Sequence, residues 1–329
     1  MQNNKKSLKY YLHKLTHIRV NTSKKNGISP HKPVLILSII GLIEVKHLQN
    51  NRIFITPELV AMFKSVWSYL VENSSHHCIF ALPFYHLSTS GFWKLVAKQG
   101  CENMVQSKIA MKSFSNLETV IEYAEIDNEL FELLNKKEER EVLKHAILDR
   151  YFLETKNNIS VSGSAYINDI ENDILNDTAA KYKAKLQKLQ SELQNDSFEE
   201  EKYLRSNIFK RQIPILYDNT CAISGLQINA TINVSLIDAC HIIPFCVSYD
   251  DTVTNGISLT PTLHRAFDRG LIAIDENYKV IISDKFNENS ESKYSITQFE
   301  GTQILLPKNK KYYPNIENLI WHKKIKFDL

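Results

Sequence analysis

The chain has 329 residues, 43% hydrophobic and 23% charged, with a formal net charge of +3. That length makes two domains the expectation, each able to bury its own core, and the composition excludes disordered, collagenous and fibrous classes. The N-terminal MQNNKKSLKYYLHKL lacks the apolar core of a signal peptide and no run approaches 18 apolar residues, so a cytoplasmic protein without a membrane partner is expected.

From Lys6 to about Val20, the apolar positions Leu8, Tyr11, Leu12, Leu15 and Ile18 recur at helical spacing. A second and more apolar run, His31 to Leu48, starts just after Ser29-Pro30 and predicts a largely buried helix. This opening stretch is basic. Residues 1 to 60 carry ten Lys/Arg against Glu44 and Glu58, with His13, His17, His31 and His47 interleaved. Such an excess suits a polyanion partner, and a plain solvated face would look the same. Residues 57 to 73, opened by Pro57, predict a third helix. In HHCIFALPFYHLSTSGFWKLV, the aromatic and branched residues around Pro83 and Gly91 predict extended segments meeting at a turn. Helical spacing returns from Asn116 to Phe152. Residues 155 to 202 are poor in aromatics and rich in Asn, Ser, Asp and Lys, and predict a connector ending in a polar helix. A compact α+β pattern begins at Tyr203.

The last third holds the densest chemistry. VSLIDACHII has the branched look of a strand, with His241 near its end before Pro244. Thr254-Asn255-Gly256 marks a turn, and Ile257 to Leu259 an extended piece. Pro261 then opens a helix carrying His264 and Asp268 four residues apart on one face, and Gly270 closes it. The predicted unit is strand, turn, strand, helix. The five cysteines, Cys78, Cys101, Cys221, Cys240 and Cys246, form no C-x-x-C pair, so neither a disulfide framework nor a four-cysteine zinc site is expected.

His at a strand end, Asn at the next turn and His on a short helix together resemble the HNH (ββα-metal) nuclease motif. The surrounding C-x-x-S-G, A-C-H-I-I-P, N-G-I-x-L and L-H-x-A-F-D-x-G pattern, with the tail YYPNIENLIWHKKIKF, looks like an HNH subfamily found at the C-terminal ends of restriction enzymes. The resemblance covers about 120 residues. It implies that His241 is the general base that deprotonates a water, a task suited to a neutral imidazole near pH 7. Asn255 would orient His241 by a hydrogen bond, and His264, with Asp268 one turn later, would hold a divalent metal against the scissile phosphate. Mg²⁺ or Mn²⁺ is expected first, with Zn²⁺ or Ni²⁺ also compatible with imidazole and carboxylate. The position before the base, where many HNH modules place a metal-binding Asp or His, is Cys240, and a thiolate is a poor Mg²⁺ ligand. A strand bend would let Asp238 substitute for it, although regular alternation would turn Asp238 to the opposite face from His241.

In the N-terminal half, SPHKPVLILSIIGLIE places His31 and Lys32 at a helix start, where free N–H groups favour phosphate. Placed upstream of an HNH module, H-K-P followed by an apolar run, and L-P-F-Y-H-L-x-x-x-G-F-W, look like the sulfur-binding domain of phosphorothioate-dependent, McrA-like type IV restriction endonucleases. In that family the DNA carries sulfur in place of a non-bridging phosphate oxygen. Sulfur is larger, more polarizable and a weaker acceptor, so a shallow apolar pocket prefers it. The resemblance implies that Pro83 lines the pocket with Phe80, Leu82 and His86, while His31 and Lys32 hold nearby backbone. Leu82 stands where the family often has Tyr.

The expected architecture is therefore α+β: a mainly helical reader of modified double-stranded DNA over residues 1–154, a connector over 155–202 and an HNH nuclease over 203–329. A homodimer, to cut both strands, is a further expectation motivated by the polar helix Thr178 to Leu193. Two alternatives stand beside this reading. The signal could be a methylated or hydroxymethylated base, flipped and stacked on Phe84, Tyr85, Phe92 or Trp93, or the chain could bind DNA with an inactive HNH site.

Overall fold

The structure is a computed structural model, and it describes residues 6–23, 27–72, 76–106, 113–158, 163–227, 236–289 and 291–327. The chain forms two compact units, residues 1–168 with 190–204 and residues 169–189 with 205–329. Both mix helices with small antiparallel sheets, the α+β class expected. No helix among the described residues is long and apolar enough to cross a membrane.

In the first unit, α1 (Leu8–Thr16) buries Tyr11 and Leu15 and exposes its polar side. Helix α2 (His31–Glu44) is buried on every side from Pro33 to Ile43, which follows from a run without a single charge. It packs on α3 (Pro57–Leu70), whose start is fixed by Pro57 and by the Thr56 hydroxyl accepting from the Leu59 N–H at 3.2 Å. A three-stranded antiparallel sheet has β2 (Trp93–Ala97) and β1 (Arg52–Ile53) on either side of β3 (Ile121–Ile126).

Three expectations change here. Residues 81–86 are not extended but form helix α4 (Ala81–His86), continued by a 3-10 turn to Ser90. The apolar positions Phe80, Phe84 and Leu87 fall at helical spacing, and Pro83 sits in the first turn, where its missing N–H costs nothing. The helical reading of 116 to 152 is interrupted by β3, whose Ile121, Ala124 and Ile126 are buried in the middle of the sheet before helices resume at Asn128. Residues 155–202, expected to be a connector, contribute helices to both units. Among them α5 (Gly163–Asn176) buries Ile170 and Ile174, and α6 (Ala179–Glu192) buries Tyr182 and Leu186. A sparse apolar stripe at helical spacing suffices to dock a polar helix.

In the second unit, the end of α7 (Asn195–Leu216) supplies Ile208, Phe209 and Ile213 to the core. A hairpin of β4 (Asp238–His241) and β5 (Gly256–Leu259) pairs Asp238 with Leu259, Cys240 with Ile257 and His241 with Gly256. Helix α8 (Pro261–Asp268) follows, and Gly270 ends it with φ +67°. A Cβ there would lie 2.0 Å from the Lys326 carbonyl oxygen, so the C-terminal tail closes directly over this turn. The predicted VSLIDACHII strand is realised at its end, since residues 228–235 lie outside those described.

Candidate functional site

Strand alternation gives β4 two faces. On one face, Asp238 and Cys240 meet helix α8. His264 Nδ1 lies 3.1 Å from Asp238 Oδ2, and Nε2 lies 3.4 Å from Asp268 Oδ2 one turn below. The donor atoms of Cys240, His264 and Asp268 all fall within 4.8 Å of one another. Cys240 is fully buried, and that burial, reinforced by Asp268 and Asp238, holds its thiol well above the ordinary range. One imidazole, one carboxylate and one sulfur are a donor set that fits a divalent ion, and the sulfur favours a borderline metal over Mg²⁺.

His241 faces a different set of groups. Its Nε2 lies 2.8 Å from Asp251 Oδ1, and its ring stacks on Phe209 with centroids 4.0 Å apart and planes 11° apart. Asp251 is 1% exposed and its second oxygen accepts from the Tyr182 hydroxyl at 3.3 Å. Burial, then the Asp251 carboxylate, pushes the Tyr182 phenol far up, so Tyr182 is a fixed donor; the Arg205 guanidinium lies 5.3 Å from its ring. An ionised carboxylate only accepts, so Asp251 keeps the proton of neutral His241 on Nε2 and leaves the Nδ1 lone pair available. The side chain of His241 is 20% exposed.

Asn255 does not bond the His241 ring as expected. Fully buried, it accepts from the Ile243 and Asn318 N–H groups and donates to the Ile243 and Asp250 carbonyls, each at 2.9 to 3.0 Å. A primary amide matches the paired donor and acceptor of a loop backbone, so Asn255 sets the path of residues 243–250 instead. Orientation of His241 falls to Asp251, which the sequence reading missed; nothing in the Asp250-Asp251 pair distinguishes it from an exposed loop. Gly256, opposite His241, is required for close approach. A Cβ there would lie 2.3 Å from Ile213 Cδ1 and 2.9 Å from Phe209 Cζ, the ring beneath His241.

In the first unit, a cavity of about 560 Å³ is lined by His31, Lys32, Leu82, Pro83 and His86, with Arg19 to Thr22, Gly27, Ser29, His76 and Thr89 completing it. Five of the six expected contact residues thus share one cavity, and none of its described lining residues is acidic. Leu82 and Pro83 supply an apolar wall, while Arg19, Lys32, His76 and His86 place cations or imidazoles around it. Lys32 Nζ donates to the Arg19 carbonyl at 2.9 Å, tying the segment after α1 to the cavity. His31 Nε2 donates to the His77 carbonyl at 2.8 Å, and Nδ1 accepts from the Ser29 hydroxyl at 3.0 Å. Burial lowers its pKa to about 4 despite the His77 carbonyl, so at neutral pH it is an uncharged brace for the cavity wall.

Phe80 is the exception among the expected contacts. It is fully buried among Phe63, Phe84 and Phe114, and its backbone N–H donates to Glu200 Oε1 at 2.7 Å. Glu200 also accepts from Ala81 N at 3.4 Å and faces Lys64 at 3.4 Å, so a buried ion pair caps the helix that carries Leu82, Pro83 and His86. Burial raises Glu200 to about 7 against the pull of Lys64. Neither Arg19 nor the Glu200 cap had a sequence signal, because each depends on contacts between residues distant in the chain.

Comparison with known proteins places residues 221–275 in the HNH endonuclease family, so the second unit carries an HNH endonuclease module. No curated protein matches the chain. Among solved structures it is similar to one described as a modification dependent TagI restriction endonuclease, at 16% identity and a TM-score of 0.24, covering 35% of this chain and 36% of that one. The chain thus spans about a third of that protein's length.

Proposed function

We propose that the protein is a modification-dependent endonuclease that reads phosphorothioated duplex DNA with the first unit and hydrolyses a nearby phosphodiester with the second. The observation that carries the reading specificity is the composition of the 560 Å³ cavity: an apolar Leu82–Pro83 wall beside Arg19 and Lys32, with no carboxylate among the described lining residues. Cations attract the backbone anion, and the apolar wall accepts a polarizable sulfur with less desolvation than it demands of an oxygen. A base-reading pocket needs aromatic faces for a flipped base, whereas Phe84, Phe92 and Trp93 are buried in the core and the half-buried Tyr85 is not among the described residues lining the cavity.

Cutting rests on the residues of the second unit. Cys240, His264 and Asp268 would hold the divalent ion, which when bound supplies charge stabilisation at the scissile phosphate. His241, oriented by Asp251, takes the proton from the attacking water at Nδ1, and Asp251 stabilises the imidazolium that results. Phe209 covers one face of the ring and holds it against rotation. Two copies on one site would cut both strands.

Equilibrium binding to matched duplexes with and without one phosphorothioate tests the reader. The wild-type chain binds the sulfur duplex at least tenfold more tightly, and Pro83→Ser reduces that ratio while leaving plain-duplex affinity in place. Equal affinities for both duplexes in the wild type would remove the sulfur reading.

A further inference from the structure

Resting on the nuclease reading, we infer that Asp238 is a positioning residue for the metal centre, acting through His264. His264 lies between two carboxylates, Asp238 at Nδ1 and Asp268 at Nε2. Only the second belongs to the donor cluster. The Cys240, His264 and Asp268 atoms lie within 4.8 Å of one another, and the Asp238 carboxylate is outside that group. The division of labour follows from imidazole chemistry. A neutral ring carries one proton, and a ring that gives one nitrogen to an ion must keep its proton on the other. Nε2 is turned toward Asp268, from where it would hold the ion, and Nδ1–H then donates to Asp238 Oδ2 at 3.1 Å. The carboxylate thereby fixes the tautomer, stops the ring from flipping and makes Nε2 more basic.

The backbone makes this possible through register. Asp238 and Cys240 are two apart on β4, so both point to the α8 face, with Cys240 opposite Ile257 and Asp238 opposite Leu259. Cys240 would hold a bound ion directly, while Asp238, one step further from the strand end, meets the Nδ1 side of His264. Asp238 is 40% exposed and its other oxygen has no hydrogen bond among the described residues, so the side chain is not required to hold the hairpin together.

Mn²⁺ binding to the full chain, measured by isothermal titration calorimetry without DNA, separates the roles. His264→Ala and Asp268→Ala lose binding. Asp238→Ala weakens it by about 10- to 100-fold, the usual effect of removing a partner of a metal-bound histidine. Asp238→Asn, which still accepts from Nδ1–H but is a poor ligand, recovers most of that loss. Wild-type affinity in Asp238→Ala, with His264→Ala inactive in binding, overturns this inference and leaves the metal site standing. So does an Asp238→Asn variant as weak as Asp238→Ala, because that pattern marks a direct ligand. Unchanged binding in His264→Ala and Asp268→Ala would instead remove the metal site itself, and this inference with it.

Discussion

Substituting Asp251 by Asn tests the His241 arrangement with little change of shape. Asp251 is 1% exposed and accepts from His241 Nε2 at 2.8 Å and from the Tyr182 hydroxyl at 3.3 Å. An amide in its place fills the same volume. It either offers its oxygen to His241, losing the negative charge that stabilises the imidazolium, or turns its NH₂ toward the ring and forces the proton onto Nδ1. Hydrogen bonds to a charged partner contribute about 1.5–3 kcal/mol. At about 1.4 kcal/mol per factor of ten, the first outcome slows cleavage by roughly 10- to 100-fold, and the second removes the base altogether. Single-turnover cleavage of a bound duplex with saturating Mn²⁺ reads this directly. Metal affinity stays at the wild-type value, because Asp251 is outside the Cys240, His264 and Asp268 cluster. Tyr182→Phe, which removes the weaker of the two bonds, gives a smaller loss in the same direction. Wild-type cleavage by Asp251→Asn would refute the assignment of His241 as a base held by this carboxylate.

Gly256→Ala drives a Cβ to 2.3 Å from Ile213 and 2.9 Å from Phe209. Overpacking of this kind costs about 1–3 kcal/mol, so the melting temperature of the second unit falls by several degrees in calorimetry while the first unit's transition stays put; an unchanged transition contradicts the packing described beneath His241. The first unit's stability depends on pH through His31. Its folded pKa of about 4 lies below the unfolded value of about 6.5, so the unfolded chain takes up a proton that the folded chain refuses. Stability is therefore full above pH 6.5 and declines as pH falls toward 4, with a slope of up to about 1.4 kcal/mol per pH unit. His31→Gln flattens that slope in urea titrations between pH 4.5 and 7, and an equal slope in both proteins contradicts the buried neutral imidazole.

The sequence was most legible where one short segment carries both pattern and chemistry. Pro261, His264, Asp268 and Gly270 mark a helix, its face and its end without help from elsewhere, and the structure places each accordingly. Leu82, Pro83 and His86 were identifiable as a group, yet the helix beneath them was read as extended, because six residues around a proline carry too little periodicity to separate the two. Contacts made across the fold were invisible. Asp251 reaches His241 over ten positions, Glu200 caps α4 from 119 positions away, and Asn255 bonds a backbone whose path no pattern reveals. Phe80, expected at the pocket, lies instead in the core, for the related reason that an aromatic beside a pocket and an aromatic in the core look alike in one dimension.

Cleavage of three otherwise identical duplexes, one phosphorothioated, one methylated and one unmodified, by the purified chain with Mn²⁺ and with Mg²⁺ bears most directly on the whole account. Cutting confined to the phosphorothioated duplex, and abolished by His241→Ala without loss of DNA binding, is the predicted result. Equal cutting of all three duplexes, or undiminished cutting by His241→Ala, contradicts it.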